Sequence, residues 1–173
     1  MPGRVMLAAY AIVSLWLAAP LAARAGEALD INGAFVGEGL PKGWSPNKPG
    51  YWDDEGKVVL TPIPDLEKSA VRLTSVTRAM SLYCTTRFAV EGGDKVVLRA
   101  LMRGSGAGSL GVYYYPAGGW LKREFQASEE WMEYSAELPL PEKVSQISVV
   151  IGIPPRASTE FLDLTAEVVR SGR

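Results

Sequence analysis

The chain has 173 residues, with 18 Lys and Arg against 19 Asp and Glu for a net charge of −1, no histidine and one cysteine. That balance leaves no basic excess for nucleic acid and no polybasic tract for a membrane surface. Without histidine, Ser-His-Asp and Cys-His nucleophile systems and most zinc sites are excluded, and a lone Cys84 excludes an internal disulfide.

The first 25 residues read as a targeting segment. "MPGR" supplies positive charge, "VMLAAYAIVSLWLAAPLA" is a continuous apolar run, and Ala23-Arg24-Ala25 places small residues where signal peptidase reads them. An uncleaved anchor is the rival reading, since Val5 to Ala23 is nearly long enough to span a bilayer. Pro20 and the A-x-A site favour cleavage after Ala25. No cysteine follows the apolar run, which argues against a lipoprotein. The expected product, residues 26–173, is secreted or periplasmic, has no further membrane insertion, and forms one domain large enough to bury a core.

Residues 37–54, "GEGLPKGWSPNKPGYWDD", follow as a long Pro/Gly loop. From there short alternating runs recur, with no sustained helical period. "SAVRLTSV" alternates around Val71 and Leu73. "MSLYCTTRFAV" puts Met80, Leu82, Cys84, Thr86, Phe88 and Val90 on one face, with Tyr83, Thr85 and Arg87 on the other. After the turn "EGGD", "KVVLRALMRG" sets Val96, Leu98, Ala100 and Met102 against Val97, Arg99, Leu101 and Arg103. "SLGVYYYP", "WLKREFQAS", "WMEYSAELPLP", "SQISVVIGIPP" and "TEFLDLTAEVV" complete the series. Strand-sized runs bounded by Gly, Pro, Asn and Asp predict an all-β sandwich. Cys84 fits as a small buried hydrophobe.

Period two assigns faces within "GVYYYPAGGW". Tyr114 joins Leu110 and Val112 toward the core, while Tyr113 and Tyr115 share the other face with Gly111. "PAGGW" is a turn with Trp120 at its far end.

The order of these features resembles that of family 4/9-type carbohydrate-binding modules. "DINGAFVGEGLPKGW" is similar to their opening strand, loop and Gly-Trp, and "SAVRLTSV" to their second signature strand. "VEGGDKVVLRALMRG", "FQASEEWMEYSAELPLPEKVSQISVVIGI" and "TEFLDLTAEV" follow in matching order, so the resemblance spans Asp30 to Val169. It implies a galactose-binding-like jelly roll of two antiparallel sheets, with Trp44 and Trp131 as core tryptophans. It also implies a structural calcium held in part by Asp163. The chain departs from the pattern at Val36, where many relatives carry a glutamate ligand, so Glu38 or Asp30 would have to complete the site.

Sugar recognition needs flat aromatic surface beneath ring C–H bonds and planar polar groups for hydroxyls. Tyr83, Arg87, Arg99, Arg103, Tyr113 and Tyr115 supply that set if their strands are neighbours, with Lys122, Glu124 and Gln126 as extensions. Trp120 and Trp52 are the loop-borne aromatics. Arg99 and Arg103 would also suit an acidic glycan. Ordinary strand surface with Tyr–Arg stacking explains the same residues equally well.

Catalytic machinery is absent from the pattern. Asp53-Asp54-Glu55 is adjacent rather than alternating and reads as a solvated turn or a cation site. Glu133 and Glu137 share a strand face without a recognisable acid/base spacing. "GSGAG", residues 104–108, lacks the Lys-Ser/Thr and the helix of a phosphate loop. The sequence therefore predicts a non-catalytic module whose partner is a polysaccharide or oligosaccharide. A cell-envelope domain that contacts protein through the same sandwich is the other reading.

Overall fold

A computed structural model describes residues 26–48 and 51–172. The targeting segment lies outside the described residues. Every regular element among those described is a strand. In chain order they are β1 (Glu27–Ala28), β2 (Gly37–Glu38), β3 (Leu40–Pro41), β4 (Trp44–Pro46), β5 (Lys57–Pro62), β6 (Ser69–Thr74) and β7 (Met80–Cys84). Then come β8 (Phe88–Ala89), β9 (Lys95–Ser105), β10 (Ala107–Pro116), β11 (Gly119–Gln126), β12 (Met132–Pro139), β13 (Val144–Ile153) and β14 (Ser158–Val169).

Two antiparallel sheets face each other. The first runs β12-β9-β14-β6-β5, with β1 on β14; the second runs β11-β10-β13-β7-β4, with β8 on β13. Most spatial neighbours are not sequence neighbours, which gives a jelly-roll sandwich, as the sequence predicts. The alternating runs supply the two inner faces. Val96, Leu98, Ala100 and Met102 of β9 lie against Leu110, Val112, Ile147 and Ile151 of the second sheet, all essentially inaccessible. Burying each larger side chain contributes about 1.5–3 kcal/mol. Trp44 and Phe35 close one end of the core, with ring centroids 5.6 Å apart and the Trp44 indole N–H donating to the Ile31 carbonyl at 2.8 Å.

One connection determines what can share a face. β9 and β10 look like a hairpin in sequence, yet β9 pairs with β12 and β14, while β10 pairs with β11 and β13. The chain crosses between sheets at Gly104-Ser105-Gly106. Gly104 (φ 150°) sits so close to the next strand that a Cβ would lie 2.1 Å from the Ser158 carbonyl. "GSGAG" is therefore a corner that only glycine can turn.

Other expectations need local correction. The run 80–90 is not one strand, because the chain bends at Thr85 and Thr86 and resumes on β13 as β8 in a shifted register, with Val150 opposite Tyr83 but Ile147 opposite Phe88. Thr86 is exposed rather than inward-facing. The residues of "NGAF" form a turn rather than an opening strand, with positive φ at Asn32 (48°) and Phe35 (52°). The presumed long loop holds β2, β3 and β4, and β5 pairs along β6.

Candidate functional site

The outward face of the second sheet is built in rows by its register. Across β11, β10, β13 and β7, Glu124, Ser109, Gly152 and Ser81 are neighbours, and Lys122, Gly111, Val150 and Tyr83 form the next row. Trp120, Tyr113 and Ser148 follow, and Tyr115 lies beyond. Small residues thus floor one half of the face and aromatic rings the other.

The rings brace one another. Tyr113 meets Tyr115 edge-on at 4.9 Å between centroids and Trp120 at 5.1 Å. Tyr51, on the loop from β4 to β5, reaches within 5.3 Å of Trp120. The Arg87 guanidinium lies 4.0 Å over the Tyr115 ring. Such contacts hold each side chain in place before any ligand arrives, at about 0.5–1.5 kcal/mol per pair. Gly119 makes the turn possible, since a Cβ there would sit 2.2 Å from the Tyr114 hydroxyl. Tyr114 itself packs on the core as its alternation requires.

An open cleft of about 540 Å³ lies over this half, lined by Tyr83, Tyr113, Tyr115, Trp120, Arg87 and Tyr51, with Asn47, Lys48, Thr85 and Ser148 at its polar edge. A narrower cleft of about 300 Å³ adjoins it beyond Tyr51 and Trp120, over the small-residue half, and is walled by Pro154 and Pro155. Two buried polar atoms lack a hydrogen-bond partner among the described residues, Asn47 Nδ2 and Ser81 Oγ. One sits at each cleft.

The loop carrying Tyr51 is anchored by Asp53. Its carboxylate accepts the backbone N–H groups of Val76 and Thr77 (2.6 Å each), Arg78 (3.0 Å) and Glu55 (3.1 Å). The Arg78 N–H, against the cost of burial, and those of Thr77, Val76 and Glu55 hold this carboxyl far below the usual carboxylate range. The acidic cluster is thus a buried backbone anchor at Asp53, and Asp54 and Glu55 are exposed. With its oxygens taken by backbone N–H groups, Asp53 does not fit a cation site.

Arg99 and Arg103 do not belong to this face. Both lie on β9, in the opposite sheet, because of the corner at Gly104. Their charge is also engaged. Arg103 and Arg72 flank Glu160 from the two neighbouring strands, and both bond its carboxylate. Burial would raise the Glu160 pKa, but the hydrogen bonds from Arg103 and Arg72 outweigh it and hold the carboxyl below its ordinary value. Arg99 pairs with Glu167 at 3.2 Å.

The tryptophans also redistribute. Trp131 is half-buried under the Arg103 guanidinium at 4.6 Å, on the outside of the first sheet rather than in the core. Trp52 packs partly on the core, with Lys48 5.4 Å above its ring, and lines neither cleft; its neighbour Tyr51 does. The sequence singles out Trp52 of this loop, whereas the ring that lines the clefts is Tyr51. Nothing in "GYWDD" decides which of two adjacent aromatics faces the sheet. Asn47, Lys48, Ser81 and Ser148 carry no sequence signal of their own, since a loop and two neighbouring strands, β7 and β13, bring them together.

Of the carboxylates weighed for catalysis, Glu137 is tied to Lys95 at 2.8 Å, and that bond keeps its pKa below the ordinary value. Glu133 stands exposed beside it, away from both clefts. Asp163 sits at an irregularity in β14 with φ 51°, and the Lys68 ammonium bonds both of its oxygens, at 2.6 and 2.9 Å. A lysine in that position does not fit a calcium site. No group of three Cys, Asp or Glu residues able to hold a metal occurs among the described residues.

No protein-family model matches the sequence, and no curated protein matches it. Solved structures do resemble it in fold. The CBM22-1 xylan-binding domain from Paenibacillus barcinonensis Xyn10C is 15% identical with a TM-score of 0.57, over 87% of this chain and all of that one. The CBM22-1–GH10 modules of Clostridium thermocellum endo-1,4-beta-D-xylanase 10B, complexed with xylohexaose, give 16% and 0.54 over 86% of this chain; the match spans only 28% of the xylanase. A family 29 carbohydrate-binding module, CBM29-2, complexed with mannohexaose gives 16% and 0.50, over 83% of this chain and 91% of that one. The fold is that of jelly-roll carbohydrate-binding modules.

Proposed function

We propose that this protein is a non-catalytic glycan-binding module, exported from the cytoplasm, whose ligand lies along the paired clefts of the second sheet. One contrast carries the reading. Most of the first sheet's outward charges pair with one another, as Arg72–Glu160–Arg103, Arg99–Glu167 and Lys95–Glu137. The second sheet instead presents braced aromatic rings, one arginine on Tyr115 and two unpartnered polar atoms. Rings stack beneath sugar C–H faces, while Arg87, Asn47 and the tyrosine hydroxyls pair with sugar hydroxyls. The motif order from Asp30 to Val169 supports the family 4/9 type, with Lys68 standing in for the metal at Asp163.

The non-catalytic part rests on the clefts' contents. Glu124 is the one carboxylate lining them among the described residues, and Lys122 bonds it at 2.6 Å. Glycoside hydrolysis needs two carboxyl groups facing across the bond to be cleaved.

A screen of residues 26–173 against neutral and acidic polysaccharides tests the reading. At least one glycan is expected to retard the protein, and Tyr115→Ala or Arg87→Ala should weaken that binding about tenfold, the equivalent of 1.4 kcal/mol. No retention by any glycan would sink the proposal and favour the envelope-interaction reading. For the metal, adding EDTA or calcium should leave Tm unchanged, whereas a calcium at 100 times its Kd would add about 2.7 kcal/mol. Lys68→Met should lower Tm by exposing Asp163 to an unpaired setting. A clear calcium-dependent rise in the wild type would show that the ammonium is not the resident cation.

A further inference from the structure

We propose that the narrower cleft takes an acetyl substituent of the bound glycan, which makes it a specificity pocket; this rests on the glycan-binding reading above. Four observations converge. Its floor is small, with Ser109, Gly111 and Gly152 in adjacent outward positions, where the neighbouring rows carry tyrosines. Its walls are apolar, formed by Val150, Ile153, Pro154 and Pro155. Its rim is electrically neutral, because Lys122 and Glu124 bond each other at 2.6 Å. Finally, Ser81 lines it, is 5% exposed, and has a hydroxyl without a hydrogen-bond partner among the described residues.

Together these select one chemistry. An ion would enter against apolar walls with no free counter-charge. A plain alkyl group would leave the Ser81 hydroxyl, already buried, still without a partner. A bare sugar hydroxyl would find one partner and otherwise hydrocarbon. An acetyl group satisfies both demands, with its methyl on the proline and valine walls and its carbonyl oxygen accepting from the Ser81 O–H. The cleft shares Tyr51 and Trp120 with the tyrosine cleft, so a ring stacked on Tyr113 and Tyr115 can direct a substituent past that pair. The same acetyl chemistry occurs as an acetamide on amino sugars and as an ester on plant polysaccharides.

Matched probes separate those two sources. Binding is measured by calorimetry for chitohexaose against cellohexaose, and by affinity electrophoresis for acetylated xylan against the same xylan after alkaline de-esterification. One acetylated partner should bind about tenfold or more tightly than its acetyl-free counterpart. Ala79→Phe, which fills the cleft from its edge, should bring that ratio near one, and Ser81→Ala should lower it severalfold. If Ala79→Phe does not fold, the smaller Ser81 change and saturation transfer to the acetyl methyl in the wild type give the same readout. Equal affinity within both pairs, with Tyr115→Ala still weakening binding, overturns the acetyl pocket and leaves the module. Binding to none of the four probes, nor to any glycan in the broader screen, overturns both.

Discussion

Trp120→Ala should cost more binding than any other single truncation on the second sheet, at least tenfold and on the order of a hundredfold for the glycan that the wild type prefers. The reason is positional. Trp120 stands at the junction of both clefts, edge-on to Tyr113 at 5.1 Å and 5.3 Å from Tyr51. Truncation removes a stacking platform and also frees two neighbouring rings, which must then be ordered by the ligand itself. Trp120→Phe should recover part of the loss, because a flat ring remains without the full area. Arg103→Ala is the instructive control. It breaks one arm of the Arg72–Glu160–Arg103 group and uncovers Trp131, so Tm should fall by a few degrees with glycan affinity unchanged. The reverse pattern, with affinity lost in Arg103→Ala and kept in Trp120→Ala, would move the site to the first sheet.

That contrast also marks how far the sequence could be read. Period two places Tyr113 and Tyr115 outward and Tyr114 inward, because alternation within one strand is a local property. The sandwich is legible for the same reason, since each strand-sized run is bounded by its own turn chemistry. What a single strand cannot report is which strand lies beside it. Arg99 and Arg103 point outward as alternation requires, yet from the other sheet, because the chain turns a corner at Gly104 where a hairpin would be drawn. A glycine forced to φ 150° by contact with the Ser158 carbonyl resembles any turn glycine until its partner strand is known. Trp131 fails for a related reason. A tryptophan near a strand start reads as core, whereas here cation–π contact with Arg103 gives it a place outside. Asp53 was hidden among three consecutive acids, and only the fold brings Val76, Thr77 and Arg78 to it.

Asp53 sets the second large effect, on stability and its pH dependence. The group's pKa is lower in the folded chain than in the unfolded one, where an aspartate titrates near 3.9. Its contribution is therefore complete above about pH 4 and lost as pH falls toward the depressed folded value. Glu160 and Asp94 shift the same way. For Asp94 the N–H groups of Glu91 and Ser171 and the Arg170 guanidinium outweigh the upward push of burial. With no histidine in the chain, no side chain of ordinary pKa titrates between about pH 5 and 8. Tm should therefore be flat across that range and fall steeply below about pH 4. Asp53→Asn should lower Tm at pH 7 by on the order of 5–10 °C and flatten the acid limb, so that its curve and the wild type's converge at low pH. An unchanged acid slope in the variant would assign acid unfolding to the other carboxylates. The same substitution should weaken glycan binding, since the Asp53 carboxylate fixes the segment that carries Tyr51 against residues 76–78, and Tyr51 walls both clefts. Stability and recognition meet at this residue because its buried carboxylate, together with the packing of Trp52 on the core, holds the loop that completes the site.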